Sequence, residues 1–523
     1  MKKYFVSLGL MLLASQLNAQ DIYKMEMFAS SDLNGTARYV GMGGAMNALG
    51  ANLSSMGVNP AALGLYRSSD ISMTGSVLIQ PNAKEMMDVN KARASFDQMG
   101  FVYAAQLGGG VKFVNFGFNY QKSRNLKNFI EVNNFQTGGL SQSLEMLDLS
   151  YVNNSWLDLS KDNDRGMTTP LTCLGYDTQL LYPEYDAQGN VSGYTPVEAE
   201  SYDYQRVQWG GINSFDFNLS MNWEDCVYGG LTLGVKDVDI HSGTYYREML
   251  PDNQNLLHPY SMGNEESLTG SGFDLTFGVI LRPIETSPFR IGFSVKTPTW
   301  YDLKSNAYLM LKSPFKSENS EFTTADVNIV DNEYKIRTPW KVNLSMGTTI
   351  KNFMAVDVEY EVSKYSGSKV SYFDYDYYDD FYSNGNDDVA LNKEAEHFLK
   401  PVSTFKVGAE ARLCKNLYAR AGYNFVSAPF KKDAFLNLFT NSSSYYYNTN
   451  TDYVNLGETH RATCGLGYKY KHLYADLAYQ YQTQSGDLYT FHVPEDNSEK
   501  NLLKAANVDL VRHSIMLTIG YKF

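Results

Sequence analysis

The chain has 523 residues, with 40 Tyr, 28 Phe and 41 Gly, 19% charged residues and a net charge of -13. With no basic face, it excludes nucleic acid as a partner and also a polybasic membrane-surface protein. A soluble chain of this length would hold several domains, but the aromatic, glycine-rich mixture reads as strands.

Residues 1–19 read as a secretory signal: Lys2 and Lys3, an apolar run from Tyr4 to Ala14, and a small-residue site ending at Ala19. The mature chain is expected to begin near Gln20 and to be exported. No later stretch approaches the roughly 20 apolar residues of a spanning helix, so any membrane span is made of strands. Cys173, Cys226, Cys414 and Cys464 form no CxxC pair, and no metal site, cofactor or disulfide is expected.

Arg38 to Tyr66 is rich in Gly, Ala, Ser and Asn, too small-chained to build a core alone. Gly43 and Gly44 weaken any long helix. Asn59-Pro60-Ala61 reads as a helix start, with Asn as N-cap and Pro at the first helical position. Such a segment needs a container, and the alternating strands after it can supply one.

A transmembrane strand needs about 9–11 residues with an apolar outer row and a polar inner row. Ile515, Leu517, Ile519, Tyr521 and Phe523 alternate with Ser514, Thr518, Gly520 and Lys522. The same period recurs around Phe215–Trp223, Phe273–Leu281, Phe289–Lys296, Trp340–Gly347, Phe405–Leu413 and Leu473–Gln482. Short links at 108–110, 224–226, 283–287, 351–352, 414–416 and 471–472 alternate with long polar links near 82–97, 123–211, 241–270, 301–338, 366–402, 429–459 and 485–511. That alternation gives about fourteen strands, with tight periplasmic turns and long external loops. Trp223, Trp340 and Tyr521 are expected in a periplasmic-side girdle, and Tyr120, Tyr423 and Tyr481 at the outer ends. The aromatic C-terminus resembles the assembly signal of outer-membrane barrels, which makes the barrel assembly machinery an expected partner.

Two regions resemble the FadL-type outer-membrane transporters of long-chain fatty acids and aromatic hydrocarbons. Met42-Gly43-Gly44-Ala45, Ala48 and Asn59-Pro60-Ala61 are similar to that family's N-terminal hatch with its NPA motif. Arg420–Phe425, Ala428-Pro429, His460-Arg461, Gly465–Tyr468 and Ala478-Tyr479 are similar to its late strands. The resemblance implies an all-β fold: a transmembrane antiparallel barrel of about fourteen strands. Residues 1–19 would be the signal, 20–69 a hatch inside the lumen, and 70–523 the barrel. It implies capture of a hydrophobic ligand among external loops, passage into the lumen, and sideways exit at a kinked third strand.

Gly117, between Phe116 and Phe118, is the candidate for that kink, with Asn59-Pro60 packing nearby; glycines in barrel strands are also commonplace. A carboxylate head would need a cation in the lumen, and Arg420 and Arg461 face inward by parity, although pairing with wall carboxylates is the commoner fate of such charges. In loop 123–211, Leu140–Leu149 has helical spacing. Leu144, Met146, Leu147 and Leu149 would line a first hydrophobic groove, or the same face would cap the barrel. The acidic run 372–382 would bind Ca²⁺ or bridge to lipopolysaccharide, or simply be solvated.

No nucleophile, base and orienter come together, so no enzyme is expected. The expected protein is a monomer in the outer membrane of a Gram-negative bacterium. It would contact membrane lipids, lipopolysaccharide and a hydrophobic small molecule. A partner protein in export or surface attachment, and a general porin, are the alternatives.

Overall fold

Strict alternation makes the lower wall. In the last strand Ile515, Leu517, Ile519 and Tyr521 stand exposed while Ser514, Met516, Thr518 and Gly520 are buried. An outer row of this kind belongs against lipid. The computed structural model describes residues 21–81, 83, 90–251, 259–315, 322–351, 353–372, 386–438, 448–495 and 500–523. The signal and most of the acidic run 372–382 lie outside these residues.

Fourteen antiparallel strands close into a barrel. They are β1 Asp70–Ile79, β2 Ala92–Gln106, β3 Val111–Asn125, β4 Ala199–Trp223, β5 Val227–Met249 and β6 Tyr260–Leu281. Three composite strands follow: β7 Arg290–Lys296 with Trp300–Ser313, β8 Thr323–Arg337 with Lys341–Ile350, and β9 Met354–Lys364 with Lys369–Tyr372. The last five are β10 Pro401–Arg412, β11 Leu417–Val426, β12 Tyr453–Tyr470, β13 Leu473–Tyr489 and β14 Ala506–Lys522. β14 closes on β1 from Asp70↔Lys522 to Ile79↔His513. Among the described residues no helix is long and apolar enough to span a membrane.

β7 and β8 break side by side at Pro298 and Pro339, which cannot donate to a ladder. The gap is bridged by Thr299 N donating to Thr338 Oγ1 at 2.8 Å and Thr338 N donating to Thr299 O at 3.0 Å. Residues 301–338, expected as a link, are therefore mostly strand. Trp340 follows this break, at the far end of its spanning piece from the turn at Lys351, and not on the short-turn side as expected.

The long links are shorter than expected because β4, β5 and β6 run 25, 23 and 22 residues, well beyond what a bilayer requires. Along β5 the polarity swaps without a change of register. Below, Leu231, Leu233 and Val235 point out, with Thr232 and Lys236 inside; above, Val238, Ile240 and Tyr246 are buried, with Asp237 and Asp239 outside. The upper wall is thus an ordinary water-facing sheet with its apolar side inward.

That inward side packs on a cap. Strand Asn128–Gly139 pairs with upper β4, and is followed by α3 (Gln142–Leu149) and α4 (Pro170–Asp177), while α5 (Val389–Phe398) comes from a later loop. Met146, Leu159, Leu171 and Leu174 of the cap meet Tyr202, Tyr246, Tyr260 and Leu309 of the wall.

Candidate functional site

Residues 21–66 lie inside the barrel. α1 (Ile22–Ala29) is N-capped by Asp21, which accepts from Lys24 N. Its Ile22, Met25 and Phe28 face Val238, Leu268, Tyr301 and Phe430, and Phe28 meets the Tyr301 ring at 4.8 Å. Lys24 pairs with Glu266 of β6. The Asp21 cap and the Ile22, Met25, Phe28, Ala29 spacing are the sequence signals that would have revealed this helix.

α2 (Ala37–Gly41) follows, and its turn is left-handed at Gly43 and Gly44, with φ of 65° and 80°. Gly43 lies so close to β11 that a Cβ would meet Tyr423 N at 2.8 Å. Four consecutive amides are then held by two wall carboxylates of β9. Met46 N and Asn47 N both donate to Glu359 Oε1 at 2.7 Å. Ala48 N and Leu49 N donate to Asp357 Oδ2 at 3.1 and 2.9 Å. Arg38 clamps Glu410 of β10 with two 2.9 Å bonds, the bidentate geometry that makes such pairs strong.

Asn59 caps the short helix Pro60–Leu65, accepting from Ala61 N at 3.2 Å. The wall makes room for this turn with glycines. A Cβ on Gly230 would meet Pro60 C at 2.5 Å, and one on Gly278 would collide with Asn59. Asn218 and Asn115 of the wall donate to Pro60 O and Leu63 O.

Gly117 is not a kink. Pairing runs unbroken through Val102↔Gly117 and Gly117↔Asn218, and what approaches is Leu63 and Met56 rather than Asn59-Pro60. The glycine serves close packing. β3 instead bulges against β4 at its two ends, between Val111 and Phe113 and between Lys122 and Arg124.

Above the second bulge the wall is only half sewn. β2 pairs with β3 from Gln98↔Gln121 to Gln106↔Phe113. Beyond that level Ala92–Phe96 pair with β1 alone, and Lys122–Asn125 with β4 alone. Side chains bridge the gap: Asn125 Nδ2 donates to Ser95 Oγ at 3.0 Å, and the Gln80 amide both donates to Phe129 O and accepts from Phe129 N. From within, the segment at Asp32–Asn34 covers it. Asp32 N donates to Ser123 O at 2.9 Å, Asn34 Nδ2 to Lys122 O at 3.0 Å, and Asn125 N to Asp32 Oδ2 at 2.8 Å.

A cavity of about 330 Å³ opens over this segment, reaching from α1 to the half-sewn seam. Its wall mixes Leu126, Leu268 and Phe430 with charges such as Lys341, Glu361, Arg461 and Arg512. Arg461 donates to Gln482 Oε1 and Asn424 Oδ1, and among the described residues it has no carboxylate bound. Arg420 is elsewhere. It lines a smaller cavity of about 190 Å³ beneath α2, bonded to Glu410 Oε2 and Asp476 Oδ1 at 2.6 Å each. The inward cations expected to share one role are therefore split between two compartments.

Leu144, Met146, Leu147 and Leu149 fall on α3 but pack into the cap or against α1, and none lines the cavity. Sequence parity does not tell a groove from a packed lid.

Among solved structures, one of a Pseudomonas aeruginosa FadL homologue is similar at a TM-score of 0.51 and 11% identity, over 94% of this chain and 99% of that one. The fold is that of the FadL-type barrels. The CymD monoaromatic hydrocarbon channel (TM-score 0.49, 11% identity) and the Pseudomonas putida toluene transporter TodX (0.48, 13%) match over the same shares of each chain. No family model and no curated protein matches the sequence. In this FadL-type barrel the NPA turn, the glycine-lined wall and the inner segment form one packed unit.

Proposed function

We propose that this protein is an outer-membrane channel for hydrophobic molecules, long-chain fatty acids first. The long-loop end faces outward, residues 20–69 act as a hatch, and cargo leaves sideways into the bilayer beside β3. The observation that carries the reading is the join between the cavity and the half-sewn β2/β3 seam, above a lumen filled by residues 21–66. A straight path to the periplasm would cross α2 and its ion pairs. A sideways path crosses side-chain bridges and the short Asp32–Asn34 cover, and an acyl tail gains about 0.8 kcal/mol for each CH₂ kept out of water.

Uptake of labelled oleate by cells with and without the protein tests this directly. Faster uptake with the protein is expected, together with no steady ionic conductance in planar bilayers. Identical uptake would overturn the transport reading, and open-channel conductance would favour a porin.

A further inference from the structure

The two ends of the barrel carry opposite charge. The whole chain has 44 Lys and Arg against 57 Asp and Glu. On the outer face of the upper wall Asp239, Asp302 and Asp331 stand exposed. The short-link end reverses this balance: residues 66–70, 107–112, 224–226, 282–289, 351–353, 412–416, 469–472 and 522–523 hold nine Lys and Arg against four Asp and Glu. Two of those acids are already matched, Asp225 by Arg67 and Asp70 by Lys522.

Four of the cations have no such match. Lys112, Lys351, Lys415 and Lys471 are exposed, one on each of the β2/β3, β8/β9, β10/β11 and β12/β13 links. Among the described residues none of the four has a carboxylate within ion-pair distance. Each has a large exposed apolar side chain beside it. Leu107 N donates to Lys112 O across the first link, Phe353 follows Lys351 by two residues, and Leu413 precedes Lys415 by two. Tyr470 adjoins Lys471, whose ammonium lies 5.5 Å from the ring centre.

A long cationic side chain beside an apolar one, at the edge of a lipid-facing wall, seats its stem among acyl chains and its charge among headgroups. The arrangement recurs on four of the six short links, so it runs round the cylinder. A soluble acidic protein would touch one side of such a ring, whereas the surrounding lipid touches all of it.

We propose that the short-link end is a docking surface for anionic phospholipid, with Lys112, Lys351, Lys415 and Lys471 binding headgroup phosphates while the apolar neighbours meet the acyl chains. Headgroups of net negative charge are preferred over zwitterionic ones, and their grip fixes how deep this end sits in the bilayer. None of the four lysines borders either cavity, so the surface is separate from the cargo route. Its assignment to the inner leaflet rests on the long-loop end facing outward; the headgroup preference does not.

The test mixes the full barrel, in a neutral detergent, with equal amounts of phosphatidylglycerol and phosphatidylethanolamine of one acyl length, and counts retained lipid by native mass spectrometry. Wild type is expected to retain phosphatidylglycerol in about fivefold excess, as for one lysine near an anionic headgroup. That excess should shrink as salt is raised. Lys112→Gln, Lys351→Gln, Lys415→Gln and Lys471→Gln together should bring the two lipids to parity, while Arg at the same four positions should keep the excess. Lys415→Gln with Lys471→Gln alone should roughly halve it, which keeps the test alive if the fourfold variant misfolds. Lys304→Gln, at the opposite end, should change nothing.

Parity in wild type, the result expected if an acidic soluble protein were the true occupant, would overturn the proposal. So would an excess unchanged in both glutamine variants, or retained lipid displaced by inorganic phosphate alone. The assay does not depend on transport: identical oleate uptake would sink the channel reading, and lipid parity would sink this surface alone.

Discussion

The barrel has two neighbouring joints built in opposite ways. At β1/β14, ten residue pairs from Asp70↔Lys522 to Ile79↔His513 run without a shift. At β2/β3 the backbone ladder stops at Gln98↔Gln121, and side chains with the inner segment do the rest. The first joint closes the cylinder and has only to be stable. The second is closed by groups that can let go individually, since no run of backbone hydrogen bonds must break together.

Four measurements would break or sharpen that contrast. The largest effect is expected from tying each joint shut. In a background without the native cysteines, a bridge between Ser95→Cys and Asn125→Cys should cut oleate uptake by on the order of tenfold or more, reversibly with reductant. A bridge between Val77→Cys and Ile515→Cys, partners across β1/β14, should leave uptake unchanged. Equal effects from both would show that the half-sewn joint is no route.

Next comes the anchor of the segment that covers the open joint. Glu410→Ala leaves Arg38 and Arg420 without their shared carboxylate, a loss of about 3 kcal/mol for a largely buried pair. Protease should then cut within residues 21–66 while the strands stay protected.

A smaller change is expected in the cap above both joints. Burial pulls the His492 imidazole down to about 4, and its ring stacks on Phe435 at 4.3 Å. The folded cap holds the neutral ring, so its stability is full above about pH 6.5 and falls as pH drops toward 4, by on the order of 2 kcal/mol. Hydrogen exchange of the cap should speed up across that window, and His492→Phe should flatten the response. The smallest effect is steric: Gly230→Ala pushes on Pro60 and should cost about 1–2 kcal/mol, read as a lowered melting point of the folded barrel.

Much of the lower wall was legible because lipid outside and polar atoms inside impose one period. Ile515, Leu517 and Ile519 could be oriented from their spacing alone, and the tight links at 224–226 and 471–472 fall where the strands turn. The upper wall was not legible in the same way. Asp237 and Asp239 point outward beside buried Val238 and Ile240, so a rule of apolar outside ends the strand too soon.

The Asn59-Pro60-Ala61 turn was visible as a cap and a helix start. Its grip was not, because Asp357 and Glu359 look like any inward carboxylates until the amides of Met46–Leu49 are seen to meet them. Gly117 misled for a related reason. A glycine records that something comes near, but not whether the strand bends or a leucine approaches.

The carboxylates that hold Met46–Leu49 lie more than three hundred positions further along the chain, at separations of 313 and 308 residues. The Met46–Leu49 amides are thus synthesised early yet lack these acceptors until β9 stands in place. Contacts this remote in sequence form late. During biogenesis the cylinder would close around a still-pliant leader, and the stopper would set only afterwards, in a mould the later strands have already cast.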